Sequence, residues 1–316
     1  MNTIEAWPEV QNPPPKNAVV FVHGIFSSHE TAFIEFYNAL RRDLPNSRYY
    51  YFDYKWGDAL EDNGDRLGKQ LEEKFKGDNR TVTLICHSMG GLVARLAILS
   101  RQLDCVKTVF LLGTPNLGAV STAQLGVMTQ FLRLSCAVVA GTFIKKQGVT
   151  DLTNAYAILQ KYRHQRLRAR GIDYVSIPGC YFHAERSLFA NYSVTEIAKD
   201  IFSTVDFIAT VLSVGGKLTA ISFERPHDGI VEERSNKLLP TGAGRGSEIA
   251  VGFTVPNQPG YRHVQLDACE ELIHTTIQKS PQVIALVKSI IERRDLREWR
   301  DSLTDDAPLR ELVPPD

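Results

Sequence analysis

The stretch TVTLICHSMGGLVARLAIL, Thr81 to Leu99, decides the fold because it joins a strand pattern to a helix pattern through small residues. Its β-branched and apolar start runs into the bend HSMGG, residues 87–91, and leucines then recur every three or four residues. Two interpretations of Ser88 follow. It is either an ordinary serine at a helix N-cap or a nucleophile held on a bend.

The residues around the bend favour the second interpretation. A strand that feeds a helix through a tight bend places the bend residue at the rim of the sheet, with its side chain outward. The chain folds back on itself there, so small residues such as Gly90 are needed, and Gly91 permits close helix packing. The N–H of Met89 opens the helix and can bind an anion. The pattern is that of a nucleophile elbow, with Cys86 in place of its usual first glycine.

Composition sets the class of protein. The chain has 316 residues, 43% of them hydrophobic and 23% charged, which is enough apolar material for a large globular core. Its 36 basic residues balance 36 acidic ones, so no nucleic-acid partner is expected. Five scattered cysteines without a C-x-x-C pair predict neither a disulfide framework nor a zinc site, and they favour the cytoplasm. We expect no secretory signal and no transmembrane helix.

Strand patterns alternate with helix patterns along most of the chain. The strand candidates are Ala18–His23, Arg48–Tyr54, Val82–Cys86, Lys107–Leu112, Tyr174–Ile177 and Tyr261–Leu266. Most are nearly continuous apolar runs, as is typical of strands covered on both faces. Apolar residues at helical spacing follow Leu60, Leu92 and Pro281. The alternation predicts an α/β fold with a mostly parallel central sheet and helices on both faces.

The domain organisation is predicted from where this alternation stops. A flexible leader is expected at 1–15, a single α/β domain at 16–300 and a loose C-terminal tail at 301–316. Insertions at about 116–170 and about 183–223 leave from the carboxyl ends of predicted strands, which suggests a lid or cap over a site. The moderate apolar content of Phe131–Ile144, in the first insertion, is compatible with transient contact with a membrane surface and equally compatible with burial.

Three stretches resemble the α/β-hydrolase superfamily, and within it the serine lipases and esterases. VVFVHGIF, CHSMGG and FLLGTPNLGA resemble the His-Gly oxyanion segment, the nucleophile elbow and the Gly-Thr-Pro segment of lipases, in that order. Later in the chain, HDGIV at 227–231 and HTTI at 274–277 resemble the acid loop and the histidine loop of lipases. YYYFDYKWGDALEDNGDRL, 49–67, has a weak similarity to lecithin–cholesterol acyltransferase-type lipases. The resemblance implies an α/β-hydrolase fold with helical lid insertions.

The resemblance also implies a catalytic triad in the chain order serine, acid, histidine. Ser88 would be the nucleophile, Asp228 the acid and His274 the general base. The alternatives that stay open are the carboxylates Glu185, Asp200 and Asp206 and the histidine His263. The place of His263 inside a strand pattern favours a structural role.

An oxyanion hole follows from the same resemblance. Its two donors would be the backbone N–H groups of Ile25 and Met89, with Phe26 as the neighbouring alternative to Ile25. Elbow and oxyanion-loop support would come from His23, Gly24, His87, Gly90 and Gly91. No metal is expected, because no cluster of residues has the spacing of metal ligands. No other cofactor is expected, because no G-x-G-x-x-G or Walker loop follows a predicted strand.

The sequence therefore predicts a serine hydrolase that cleaves carboxylic esters of small molecules or lipids through an acyl-enzyme intermediate. Acyl esters of lipids are the favoured substrates. An acyltransferase or thioesterase with the same triad stays open, because the choice of acceptor depends on how water is excluded. A binding protein without catalysis on the same fold is the third alternative, since fold does not imply activity.

Overall fold

One mixed sheet forms the centre of the protein. The computed structural model describes residues 4–6, 17–25, 27–77, 80–116, 147–162, 164–165, 172–179, 231, 235, 261–266, 274, 276–293 and 309–312. Within them the strands are β1 Ile4–Ala6, β2 Asn17–Val22, β3 Ser47–Phe52, β4 Thr81–His87, β5 Val106–Leu112, β6 Asp173–Ile177, β7 Tyr261–Leu266 and β8 Leu309–Leu312. Their spatial order is β1-β3-β2-β4-β5-β6-β7-β8. Neighbours from β3 to β7 run parallel, and β1 and β8 add antiparallel edges.

Helices cover both faces of this sheet. They are α1 His29–Asp43, α2 Leu60–Phe75, α3 Met89–Ser100, α4 Gln147–Thr153, α5 Ala155–Lys161, the 3₁₀ helix Ile277–Lys279 and α6 Pro281–Arg293. Apolar residues of α2, α3, α4 and α5 belong to one buried cluster, and those of α1 and α6 belong to a second.

The alternation along β2 shows why the core has two halves. Ala18, Val20 and Val22 belong to the cluster with α2 and α3, whereas Val19 and Phe21 belong to the cluster with α1 and α6. Successive side chains of a strand point to opposite faces, so a strand buried on both faces is apolar throughout. The predicted α/β class and its mostly parallel sheet with helices on both faces are confirmed.

Small residues set the spacing between α2 and α3. A Cβ added at Gly64 would lie 2.5 Å from the Cβ of Leu96, and one added at Gly68 would lie 2.9 Å from Cδ of Arg101. Glycine thus allows the two helix backbones to approach closely. This contact holds α3, the helix that Ser88 precedes, against α2.

Short strands occur near both ends, where the sequence indicated only loose segments. Ile4–Ala6, inside the expected leader 1–15, pairs with β3, and Leu309–Leu312, inside the expected tail 301–316, pairs with β7. The expectation is corrected at these residues because the edge of a sheet offers unpaired backbone groups that a short segment can satisfy.

One helix of the first insertion, α4, is anchored beside the segment between β3 and α2. Asp151 accepts a hydrogen bond from the backbone N–H of Leu60 at 2.9 Å, so it caps the first turn of α2. The backbone N–H of Gly148 donates to Gly57 O at 3.2 Å. The insertion at 183–223 lies outside the described residues. Every helix in the described part of the chain is too short or too polar to cross a membrane.

Candidate active site

The backbone of Ser88 is strained. Its φ of 52° and ψ of −125° make it the one non-glycine residue with positive φ among the described residues. An L-residue rarely adopts this conformation, and it persists only where the surroundings enforce it. The Ser88 N–H donates to Leu112 O at 2.9 Å, and α3 begins at the next residue. Ser88 occupies the N-cap position of this helix, but its side chain makes no capping hydrogen bond to it.

Glycines permit the bend because the chain passes close to its neighbours on each side. A Cβ added at Gly90 would lie 2.3 Å from Val22 O, and one added at Gly91 would lie 2.1 Å from Oγ1 of Thr114. At Gly24 an added Cβ would lie 2.9 Å from the Cβ of Ser88. The elbow and the loop after β2 are therefore in contact at glycine positions.

Cys86 occupies the first position of the elbow without disturbing it. Its side chain is fully buried in the core cluster on the α2–α3 face. Burial raises the pKa of the thiol well above its usual value. Cys86 therefore packs as a small apolar residue, and the strand continues past it to Ser88.

His274 reaches Ser88 from the loop before the 3₁₀ helix. Its Nε2 lies 2.8 Å from Oγ of Ser88. Both side chains are buried, with 5% of each residue exposed. The two residues lie 186 positions apart in the chain. The fold thus brings together the residues that the sequence predicted as nucleophile and base. A serine hydroxyl beside an imidazole nitrogen at this distance can transfer its proton.

The loop after β2 is organised around the ring of His23. Nδ1 of His23 donates to Gly24 O at 2.8 Å, and Nε2 accepts from the backbone N–H of Tyr54 at 3.3 Å. The Tyr54 hydroxyl donates to His23 O at 2.8 Å, and the two rings stack with centroids 4.4 Å apart. These bonds leave the ring neutral, and burial correspondingly lowers the pKa of His23.

A carboxylate and a second histidine lie beside His23. Oδ2 of Asp53 is 2.6 Å from Nδ1 of His29, and Oδ1 accepts from the His29 backbone N–H at 3.0 Å. Although burial raises the pKa of Asp53, the hydrogen bonds from His29 and the electrostatic interactions with the two histidines together hold that pKa below its usual value. Oδ1 also lies 3.6 Å from Nε2 of His23. Since that nitrogen accepts from Tyr54, we regard this as a contact between a carboxylate and a neutral ring.

Sequence reasoning missed Asp53, His29 and Tyr54 as members of this region. The run YYYFDYKW, residues 49–56, places Asp53 and Tyr54 at the end of a predicted strand, and this position could have indicated both residues. Since β3 and β2 are parallel neighbours, the residues just after each strand meet at the same edge of the sheet. Asp53 and Tyr54 follow β3 as His23 follows β2.

Several predicted site residues lie outside the described residues. They are the acid Asp228, its rivals Glu185, Asp200 and Asp206, and the alternative oxyanion donor Phe26. His263 lies in β7, at the register position opposite Ser176 of β6. Within the described ranges, His, Cys, Asp and Glu side chains form no group of three that could hold a metal ion.

The strain at Ser88 generates a stability prediction. Removing the hydroxyl by Ser88→Gly should leave the protein about 1 kcal/mol more stable to urea unfolding than Ser88→Ala, because only glycine adopts positive φ freely. At Glu35, an exposed residue within α1, the order should reverse, with Gly about 1 kcal/mol less stable than Ala. A Ser88→Ala variant at least as stable as Ser88→Gly would contradict the strained conformation.

Comparison with known proteins identifies the type of fold. The sequence profile described as "PGAP1-like alpha/beta domain" matches residues 15–193. The mature form of Bacillus licheniformis lipase BlEst2 is similar in structure, with 19% identity over 92% of this chain and 97% of that one, and a TM-score of 0.57. Its propeptide form has 19% identity over 91% of this chain and 53% of that one, with a TM-score of 0.55. A search of the curated proteins found no match. The resemblance to lipases and esterases of the α/β-hydrolase superfamily is thereby confirmed.

Proposed function

We propose that this chain, which belongs to the PGAP1-like alpha/beta domain family, is a serine hydrolase that cleaves carboxylic esters. The observation that carries the proposal is Ser88 itself. It has a strained positive φ, and its Oγ lies 2.8 Å from Nε2 of His274. An N-cap serine needs neither feature, whereas the nucleophile of a strand-to-helix elbow combines a strained backbone with an adjacent base.

The reaction begins with proton transfer inside this pair. His274 accepts the hydroxyl proton at Nε2 as Ser88 Oγ attacks the ester carbonyl carbon, and a tetrahedral intermediate forms. The same imidazolium then protonates the departing alcohol, which leaves an acyl-enzyme on Ser88. Water, deprotonated by His274, attacks the acyl carbon. The bond from that carbon to Ser88 Oγ then breaks, Oγ takes the proton back from His274, and the carboxylic acid leaves.

Asp228 is the acid of the proposed triad. With Nε2 of His274 directed at Ser88, Nδ1 is the nitrogen that would donate to a carboxylate and so keep the ring in the productive tautomer. The chain order serine, acid, histidine and the HDGIV motif favour Asp228 for this role. Val231, three residues further on, is buried.

The oxyanion donors of the proposal are the backbone N–H groups of Ile25 and Met89. In a trans peptide the carbonyl and the following N–H point in opposite directions. His23 binds the carbonyl of Gly24, so the N–H of Ile25 is directed away from the His23 ring. Gly24 itself lies against Ser88. Met89 contributes the first N–H of α3, where the helix dipole favours a negative charge.

Acyl esters of lipids are the proposed substrate class. One structurally similar protein, solved in two forms, is described as a lipase. Ile25 and Trp56, near the ends of β2 and β3, are partly buried apolar residues packed on the core. The insertion at about 116–170 would form a cap over this edge, since Gly148 of α4 hydrogen-bonds to the loop after β3. An apolar wall and a cap suit a long acyl chain.

A covalent probe tests the nucleophile. A fluorophosphonate should label the wild-type protein at Ser88, as mapped by peptide mass spectrometry, and Ser88→Ala should abolish the labelling. His274→Gln should slow it by at least about 10³-fold, because the hydroxyl loses its base. Ser100→Ala, a serine twelve positions away at the end of α3, serves as the matched control and should label at the wild-type rate. Folded wild-type protein that stays unlabelled would contradict the proposed function.

Chain-length dependence tests the lipid part separately. With p-nitrophenyl esters, kcat/KM should rise from acetate to octanoate, because each buried CH₂ adds about 0.8 kcal/mol of binding in an apolar site. Assays kept below the critical micelle concentration provide the control for aggregation. Acetate as the preferred substrate would contradict lipid esters while leaving the serine mechanism intact.

The hydrogen bond from Tyr54 to the oxyanion loop predicts a specific kinetic effect. Tyr54→Phe should lower kcat about 3- to 10-fold with little change in KM, because a neutral hydrogen bond contributes about 1 kcal/mol and the oxyanion forms only after substrate binds. Tyr49→Phe is the matched control, since the Tyr49 hydroxyl donates to Leu44 O at 3.0 Å away from the elbow. Equal losses in both variants would show a general effect on stability instead.

A further inference from the structure

We infer that His87 is a positioning residue that holds His274 in line with Ser88, an inference that rests on the proposed function. The residue before the nucleophile was expected only to support the elbow. Its ring instead makes a direct bond to the backbone of the residue proposed as the base. Nε2 of His87 lies 2.8 Å from the backbone carbonyl oxygen of His274.

The chemistry of this bond defines the state of the ring. A carbonyl oxygen only accepts, so Nε2 of His87 carries a proton and donates it. Both residues are buried, His87 at 7% and His274 at 5% exposed. Without the His87 donor, the buried carbonyl of His274 would lose this hydrogen bond. The free energy of that loss favours movement of the loop that carries His274.

The place of His87 in the fold makes it a rigid reference point. It is the last residue of β4 and pairs with Leu112 of β5. The next residue, Ser88, is bonded to the same strand through Leu112 O. By contrast, His274 belongs to the connection between β7 and α6 and depends on tertiary contacts for its position. The bond from His87 ties this connection to the strand that carries the nucleophile.

The other edge of the ring faces the oxyanion loop. A Cβ added at Gly24 would lie 3.1 Å from Nδ1 of His87, so the loop backbone passes the ring too closely for an ordinary side chain at this position. The rings of His87 and His274 have centroids 5.1 Å apart. The His87 side chain thus lies between the loop proposed to bind the oxyanion and the residue proposed to move the proton. A shift of His274 of about 1 Å would disrupt the 2.8 Å contact with Ser88, and misplacement of this size can cost about 10²-fold in rate.

Two substitutions separate the hydrogen bond from the space that the ring fills. His87→Phe keeps an aromatic ring but removes the donor, so kcat and the rate of fluorophosphonate labelling should fall about 10- to 100-fold. KM should change by no more than about twofold, because His87 acts through His274 and not through the substrate. His87→Gln carries an amide N–H the same number of bonds from Cα as Nε2, and it should recover most of the lost rate.

Stability measurements make the result decisive. The melting temperatures of the two variants are compared, and if His87→Phe does not fold, His87→Met replaces it as the variant without a donor. A His87→Phe or His87→Met variant with wild-type kcat would overturn the inference. So would a His87→Gln variant that is as slow as the variant without a donor at equal stability. Absence of labelling in the wild-type protein is a different outcome, since it contradicts the proposed function and not the role of His87 alone.

Discussion

The backbone of Ser88 is the constraint on which the rest of the arrangement depends. A serine at φ 52° is unfavourable by itself, and the hydrogen bond from its N–H to Leu112 O and the start of α3 hold it there. The bend exists only because Gly24, Gly90 and Gly91 let neighbouring backbone and side chains approach more closely than a Cβ would allow. Strain of this kind costs about 1–3 kcal/mol, and it persists because the packing of the surrounding sheet enforces the conformation.

Three chain segments meet at this bend, and each is held by a different device. The loop after β2 is held by the His23 ring and by Tyr54, which bond to successive carbonyls. The elbow is held by β5. The connection before α6 is held by His87. Since parallel strands end at one edge of the sheet, residues far apart in sequence converge there without long side chains. The chemistry that we propose uses that convergence and requires neither a metal nor a cofactor.

The sequence predicted what depends on local pattern. Apolar runs identified the strands from β2 to β7, and small residues around Ser88 identified the bend. It did not predict β1 and β8, because short edge strands are selected by an available partner and not by their own pattern. It also missed the contact of Asp53 with His29 and the bond of His87 to His274, which are tertiary contacts between segments with no periodicity to reveal them. Cys86 looked like a departure, but its position in the core shows that a small buried side chain suffices.

The central claim is that Ser88, His274 and two backbone N–H groups act on one carbonyl group. A crystal structure of the protein after reaction with a phosphonate tests it most directly. We expect a covalent bond from Ser88 Oγ to phosphorus, with the phosphonyl oxygen about 2.7–3.1 Å from the N atoms of Ile25 and Met89. His274 should remain within hydrogen-bond distance of the adduct. Phosphorus bonded to another residue, or a phosphonyl oxygen directed away from both N–H groups, would contradict the account.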